Sequence, residues 1–187
     1  KLKEGYEEGM QVGDVEWSMI LADLYARTAL LCGGGDLLPL AEDIRKLTRR
    51  MKELSHHMQT MTLPCLQAAL NLIDPSVERP NVLSGEAMDE DALLNKALEN
   101  QRLNVVAIVY FLKLWLSYLF GKHEDAAEMA QKCQRLRKSR PFRGGNEAIE
   151  TFYTGLVAAE TARREQQEDQ REFWRTIAAE SMQAMEN

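Results

Sequence analysis

Proline is scarce, with five in 187 residues. β-Branched runs are short and rare, and no segment alternates apolar and polar residues with period two. Together these exclude a fold built on sheets. Cysteine is also scarce. Cys32, Cys65 and Cys133 are odd in number and share no paired spacing, which excludes a disulfide scaffold and points to reduced core thiols of a cytoplasmic protein. None is needed for stability, because a chain of this length buries roughly 70% of its unfolded surface. Excess positive charge is missing too. The net charge is −6, which argues against a nucleic-acid binder, whose affinity comes from neutralising phosphates.

No uninterrupted hydrophobic run is long enough for a membrane span, which takes about 20 apolar residues. The most apolar stretch, residues 101–120, is broken by Asn104, Lys113 and Ser117 and reads as a buried helix. Histidine is nearly absent. His56 and His57 are adjacent, so on a helix they point about 100° apart and chelate poorly. His123 opens His-Glu-Asp, which lacks the second histidine of a zinc-protease helix. No metal and no cofactor is expected. Gly33-Gly34-Gly35 has neither a preceding strand nor a following Gly-Lys-Ser/Thr, so it is an interhelix turn and not a phosphate loop. Glu86, Asp89, Glu90 and Asp91 are acids gathered at a helix start, where the macrodipole favours them. No Ser-His-Asp or Cys-His arrangement has spacing to support it. The sequence therefore predicts a non-enzymatic segment.

What is present is the set of straight-chain helix formers: Leu, Ala, Glu, Met, Gln, Lys and Arg. Val15, Met19, Ala22, Ala26, Ala29 and Leu30 recur at three- and four-residue steps, predicting a first long helix over 14–32. Asp36 caps a second, to about Glu53, with Leu37, Leu40, Ala41, Ile44, Leu47, Met51 and Leu54 on one face. A third runs through about 57–73, where Pro64 marks a later start or a kink. Residues 74–88 read as a long loop. Further helices are expected over 89–99, 101–120, 123–139, 147–164 and from about Gln166. The chain reads as one helical-repeat segment of eight or nine helices, divided into two halves by the loop at 74–88. It starts at Lys1-Leu2-Lys3-Glu4 with no initiator Met and ends in an open helical pattern, so it is expected to be cut from a longer chain.

The strongest repeat unit runs from Trp115 to Cys133. A bulky helix ends at Gly121, and small residues follow at Ala126 and Cys133. Glycine permits the tight turn, and small residues let the second helix lie close on the first. Gly13-Asp14-Val15-Glu16-Trp17-Ser18 echoes the same turn, with Ser18 in the small position. This is the pattern of a tetratricopeptide repeat.

A more specific resemblance is carried by an ordered set of pieces. These are Gly9–Trp17, Gln67–Leu72, Leu83–Glu90, Tyr118–Gly121 and Phe152–Ala159, which occur in order across about residues 5–162. The set resembles the helical region that follows the AAA-type ATPase module in large signalling proteins. Those proteins join a serine/threonine kinase-like domain, the ATPase, this region, and a histidine kinase or nucleotide cyclase. The sequence departs from that pattern at Trp17 and Ser18 and in the extra charge of 74–81. The resemblance implies a tetratricopeptide-like α/α superhelix of antiparallel helix pairs. It also implies a scaffold and coupling role beside an ATPase, and its catalytic residues belong to other domains. The partners expected are proteins: other domains of the same chain or a second protomer. The alternative is a free-standing helical adaptor that binds peptides in a groove.

One candidate partner surface stands out, the basic run Arg135, Arg137, Lys138, Arg140 and Arg143. It suits an acidic partner, although cations at a helix C-terminus also complement the macrodipole. Tyr110, Phe111, Trp115, Tyr118 and Phe120 sit at helical spacing in an apolar segment and read as core, as do Met51, Met58, Met61, Met182 and Met185.

Overall fold

A computed structural model describes residues 1–139 and 147–186. Among these residues there are nine helices and no strand: α1 Leu2–Val12, α2 Val15–Cys32, α3 Leu37–Glu53, α4 Gln59–Ile73, α5 Glu90–Glu99, α6 Leu103–Leu119, α7 His123–Ser139, α8 Glu147–Arg164 and α9 Glu168–Glu186. The fold is all-α, as the composition predicts. Consecutive helices pack as pairs, α1 on α2, α3 on α4, α6 on α7 and α8 on α9.

Four connections use the same device. Each helix ends in a residue of positive φ, and the next N–H turns back to a carbonyl in the last helical turn. At Gly13 (φ 83°) the Asp14 amide reaches Gly9 O at 2.9 Å, and at Gly121 (φ 65°) the Lys122 amide reaches Ser117 O at 2.8 Å. The other two corners are built without glycine. Ser55 (φ 52°) precedes His56 N–H donating to Met51 O at 2.8 Å, and Gln101 (φ 53°) precedes Arg102 N–H donating to Ala97 O at 2.8 Å.

The chain forms two compact units. The first comprises residues 1–79 and 83–96, the second residues 80–82 and 97–187. The expected division at the 74–88 loop is thus displaced into α5. The reason is that most of the loop's second half is bound to the first unit. Gln67 on α4 accepts from Ala87 N–H at 2.9 Å and donates to Asn71 at 2.7 Å. Leu83 is fully buried, and its amide donates to Glu90 Oε2 at 2.8 Å. Two pieces singled out in the sequence, Gln67–Leu72 and Leu83–Glu90, are therefore one packed unit.

In the first unit the core gathers Met19, Ala22, Leu47, Met51 and Met58, with Tyr6, Met10 and Tyr25 packed against it. The helix α4 continues through Pro64, which is buried within it. The chain before residue 14, left without an element in the sequence reading, is the helix α1. Gly9 lets it approach α2, because a Cβ there would stand 2.4 Å from Ser18 Oγ. At its other end Lys3 Nζ meets Asp43 of α3 at 2.6 Å, and Tyr25 Oη of α2 donates to the same carboxylate at 3.2 Å.

The hydrogen bond from Lys3 holds the Asp43 carboxyl below its ordinary value of 3.8. A carboxyl depressed in the folded state adds stability that is present above the unfolded pKa and lost as pH falls through the folded one. Acidification below about pH 3.8 should therefore release α1 before the rest of the unit. Amide exchange in 2–12 should accelerate over that window, and Asp43→Asn should already exchange fast at neutral pH.

In the second unit α6 is almost wholly enclosed, with Phe111, Leu112, Leu114, Trp115 and Leu116 among its buried side chains. Asn81 ties the short 80–82 stretch to this unit. Its Nδ2 donates to buried Ser117 Oγ at 3.1 Å and to Asp125 Oδ2 at 2.8 Å. The pair α8 and α9 has the most extensive contact in the chain, with Trp174, Ile177, Ala178 and Ser181 buried from α9. No helix among the described residues is long and apolar enough to cross a membrane.

Candidate partner-binding groove

The repeat unit from Trp115 to Cys133 supplies one wall of a half-open groove of about 780 Å³ in the second unit. Tyr118 at the end of α6, Lys122 in the turn, and His123 to Ala127 on α7 form that wall. The end of α8 lines it too, with Val157, Glu160, Thr161 and Arg164, as do Glu165, Gln166 and Gln167 before α9. The Gly121 corner is what places Lys122 and the start of α7 at the rim. A volume of this size falls in the range of clefts that take a small molecule, about 300–1,000 Å³.

Charge of both signs lines the groove. Arg164 Nη2 lies 2.6 Å from Glu160 Oε1, and His123 Nδ1 approaches the same oxygen at 3.4 Å. The Asp125 carboxylate is already used by Asn81. Tyr118 stands edge-on to Tyr153 with centroids 5.6 Å apart, so its ring gives the groove an ordered apolar wall. The arrangement suits recognition: rim charges steer and register a partner, and an aromatic surface gives it contact area.

Of the predicted basic run, the side chains of Arg135 and Arg137 are described. Arg135 is exposed, while Arg137 Nη2 pairs with Glu147 Oε1 at 3.2 Å. The side chain of Lys138, and Arg140 and Arg143 altogether, lie outside the described residues. Of the aromatic series, Phe111 and Trp115 are core, whereas Phe120 is 45% exposed. Tyr110 carries Lys132 over its ring at 5.2 Å. Met51 and Met58 fill the first core, but Met182 and Met185 on α9 are exposed, which corrects their reading as core.

Cys65 is fully buried, and burial pushes its thiol well above the ordinary range, so it is inert as a nucleophile. The histidine pair departs from expectation. His56 and His57 lie in the turn between α3 and α4 and not on a helix, and their rings stack at 4.6 Å. His56 Nε2 stands 2.8 Å from Glu16 Oε2, and its hydrogen bond holds the Glu16 carboxyl below the ordinary value.

With this geometry in place, comparison adds no relative. No family model matches the chain, and no curated protein or solved structure matches it.

Proposed function

We propose that this chain is a non-catalytic protein-interaction and coupling region of a multidomain, cytoplasmic signalling protein of the ATPase and kinase type. Its partner is another domain of the same polypeptide or a second protomer, and it needs no cofactor. The observation that carries the reading is the groove between α7 and α8. It is bounded by the chain's clearest repeat unit, and inside it Arg164 and His123 both face the Glu160 carboxylate. The ordered resemblance over residues 5–162 adds the company such a region keeps. Stacked helix pairs offer surfaces of this kind to extended partners. A partner with an acidic side chain competes for Arg164, and one with a basic side chain competes for Glu160. A free-standing adaptor would use the same groove. The two readings part on the parent chain, where nucleotide-binding motifs upstream favour the coupling role.

Charge reversal tests the groove. Glu160→Lys should weaken association with the neighbouring domain of the parent by about tenfold, with helix content unchanged by circular dichroism. The swap Glu160→Lys with Arg164→Glu keeps the internal pair but inverts the pattern, and it should not restore binding. Arg49→Glu, exposed on the first unit and outside the groove, should bind as the parent sequence does. Full binding by both groove variants would remove the groove from the proposal. Unchanged regulation of the parent after deletion of the whole segment would remove the coupling role.

A further inference from the structure

The α3–α4 corner is a second place where chemistry-bearing side chains converge, and it lies in the other unit. Helix α3 ends in a closed corner in which Ser55 adopts φ 52°, its amide donates to Lys52 O at 3.0 Å and the His56 amide donates to Met51 O at 2.8 Å. These bonds fix the backbone of His56. Its ring is then held from both sides, by Glu16 at Nε2 at 2.8 Å and by the Met58 amide donating to Nδ1 at 3.3 Å. His57 stacks on it at an interplanar angle of 28°. Glu16 comes from the first turn of α2, forty residues away in sequence. One ligand atom from each of the three side chains lies within 4.8 Å of the other two.

We propose that Glu16, His56 and His57 form a binding site for a divalent transition-metal ion of the zinc class, joining the start of α2 to the α3–α4 corner. Two imidazoles and a carboxylate are a donor set zinc accepts, with the fourth tetrahedral position open to water. Tetrahedral bonds of about 2.0–2.1 Å place ligand atoms roughly 3.3 Å apart. The present spacing reaches that by rotating side chains, because Glu16 and His57 are both exposed. Protonation sets the affinity. Met58 N–H pointing at Nδ1 leaves the His56 proton on Nε2, where Glu16 accepts it. A metal at Nε2 needs that proton moved, through solvent, to Nδ1, and the Met58 amide then loses its acceptor. The site therefore binds at micromolar and not nanomolar strength.

The test uses the full chain at pH 7.5, titrated with Zn²⁺ and, for its spectrum, with Co²⁺. One equivalent of Zn²⁺ should bind with a Kd of about 1–10 µM, and Co²⁺ should give the visible bands of tetrahedral nitrogen and oxygen ligation. His57→Gln and Glu16→Gln should each weaken binding at least about tenfold, and circular dichroism should report both variants folded. Cys32→Ser should bind unchanged. Absence of saturable binding below about 100 µM, affinity in both variants equal to that of the parent sequence, or an intense thiolate-to-cobalt band would each overturn the proposal.

Discussion

Asp23→Ala should cost the first unit about 3–5 kcal/mol. Asp23 is completely buried on α2, and Arg27, one turn later, is 12% exposed with Nη2 at 2.5 Å from Asp23 Oδ2. Thr62 Oγ1 of α4 donates to Asp23 Oδ1 at 3.2 Å, so the pair ties α2 to α4. Arg27 Nε is buried with no hydrogen-bond partner. Removing the carboxylate leaves a guanidinium in the core that stays charged at any accessible pH. Removing both charges is different. Asp23→Leu with Arg27→Met should be neutral or more stable than the parent by about 1–4 kcal/mol, because two desolvation penalties disappear together. Amide exchange of α2 and α4 under urea reads both effects without interference from the second unit. Equal destabilisation by the single and double changes would mean that volume, not charge, governs the site.

The same pair has a pH signature opposite to that of Asp43. Burial raises the Asp23 carboxyl above its ordinary value of 3.8, with Arg27 and Thr62 pulling the other way. The native state then binds more protons than the unfolded one. Its contribution is fully present below about pH 3.8 and is lost as pH rises through the folded value. Arg27→Met should steepen that loss, since the charge opposing the shift is gone, while its stability should recover in acid as Asp23 protonates. Asp23→Ala should not recover.

Much of the helical plan was legible because it is local. Asp14 and Asp36 accept from the first-turn amides of α2 and α3 as their sequence positions suggest, and Gly13 and Gly121 make the turns read for them. The helix α1 was not legible. It has no fully buried residue, and Gly5 and Gly9 lower its intrinsic preference. Their purpose appears only when α2 is beside them. Ser55 and Gln101 hide two corners of the same type, because a residue of positive φ other than glycine leaves no compositional mark. The groove and the Glu16–His56–His57 cluster join positions about forty residues apart, and no spacing rule reaches that far. Asp23 did leave a signal, since an acid within the buried stripe of Met19, Ala22 and Ala26, four residues before an arginine, announces a buried pair.

Gly155→Leu should unseat α9 and destabilise the second unit by about 3 kcal/mol. A Cβ at Gly155 would stand 2.9 Å from Ser181 Cβ, closer than carbon atoms pack, so α9 must move outward to admit even a methyl. Gly155→Ala gains about 1 kcal/mol of helix propensity against an overpacking cost of about 1–3 kcal/mol, and should come out mildly destabilising. The rescue identifies the cause. Ser181→Ala keeps the offending Cβ and should not help, whereas Ser181→Gly removes it and should restore the Gly155→Ala variant. At Gly9 the logic inverts, because the near atom there is Ser18 Oγ and the Ser18 Cβ is 3.6 Å away. Ser18→Ala should therefore be enough to rescue Gly9→Ala. Trp174 on α9, 3% exposed, reports the movement through a red shift of its emission. If Ser181→Ala rescued Gly155→Ala as well as Ser181→Gly does, the contact between the two β-carbons would not be what sets the spacing of α8 and α9.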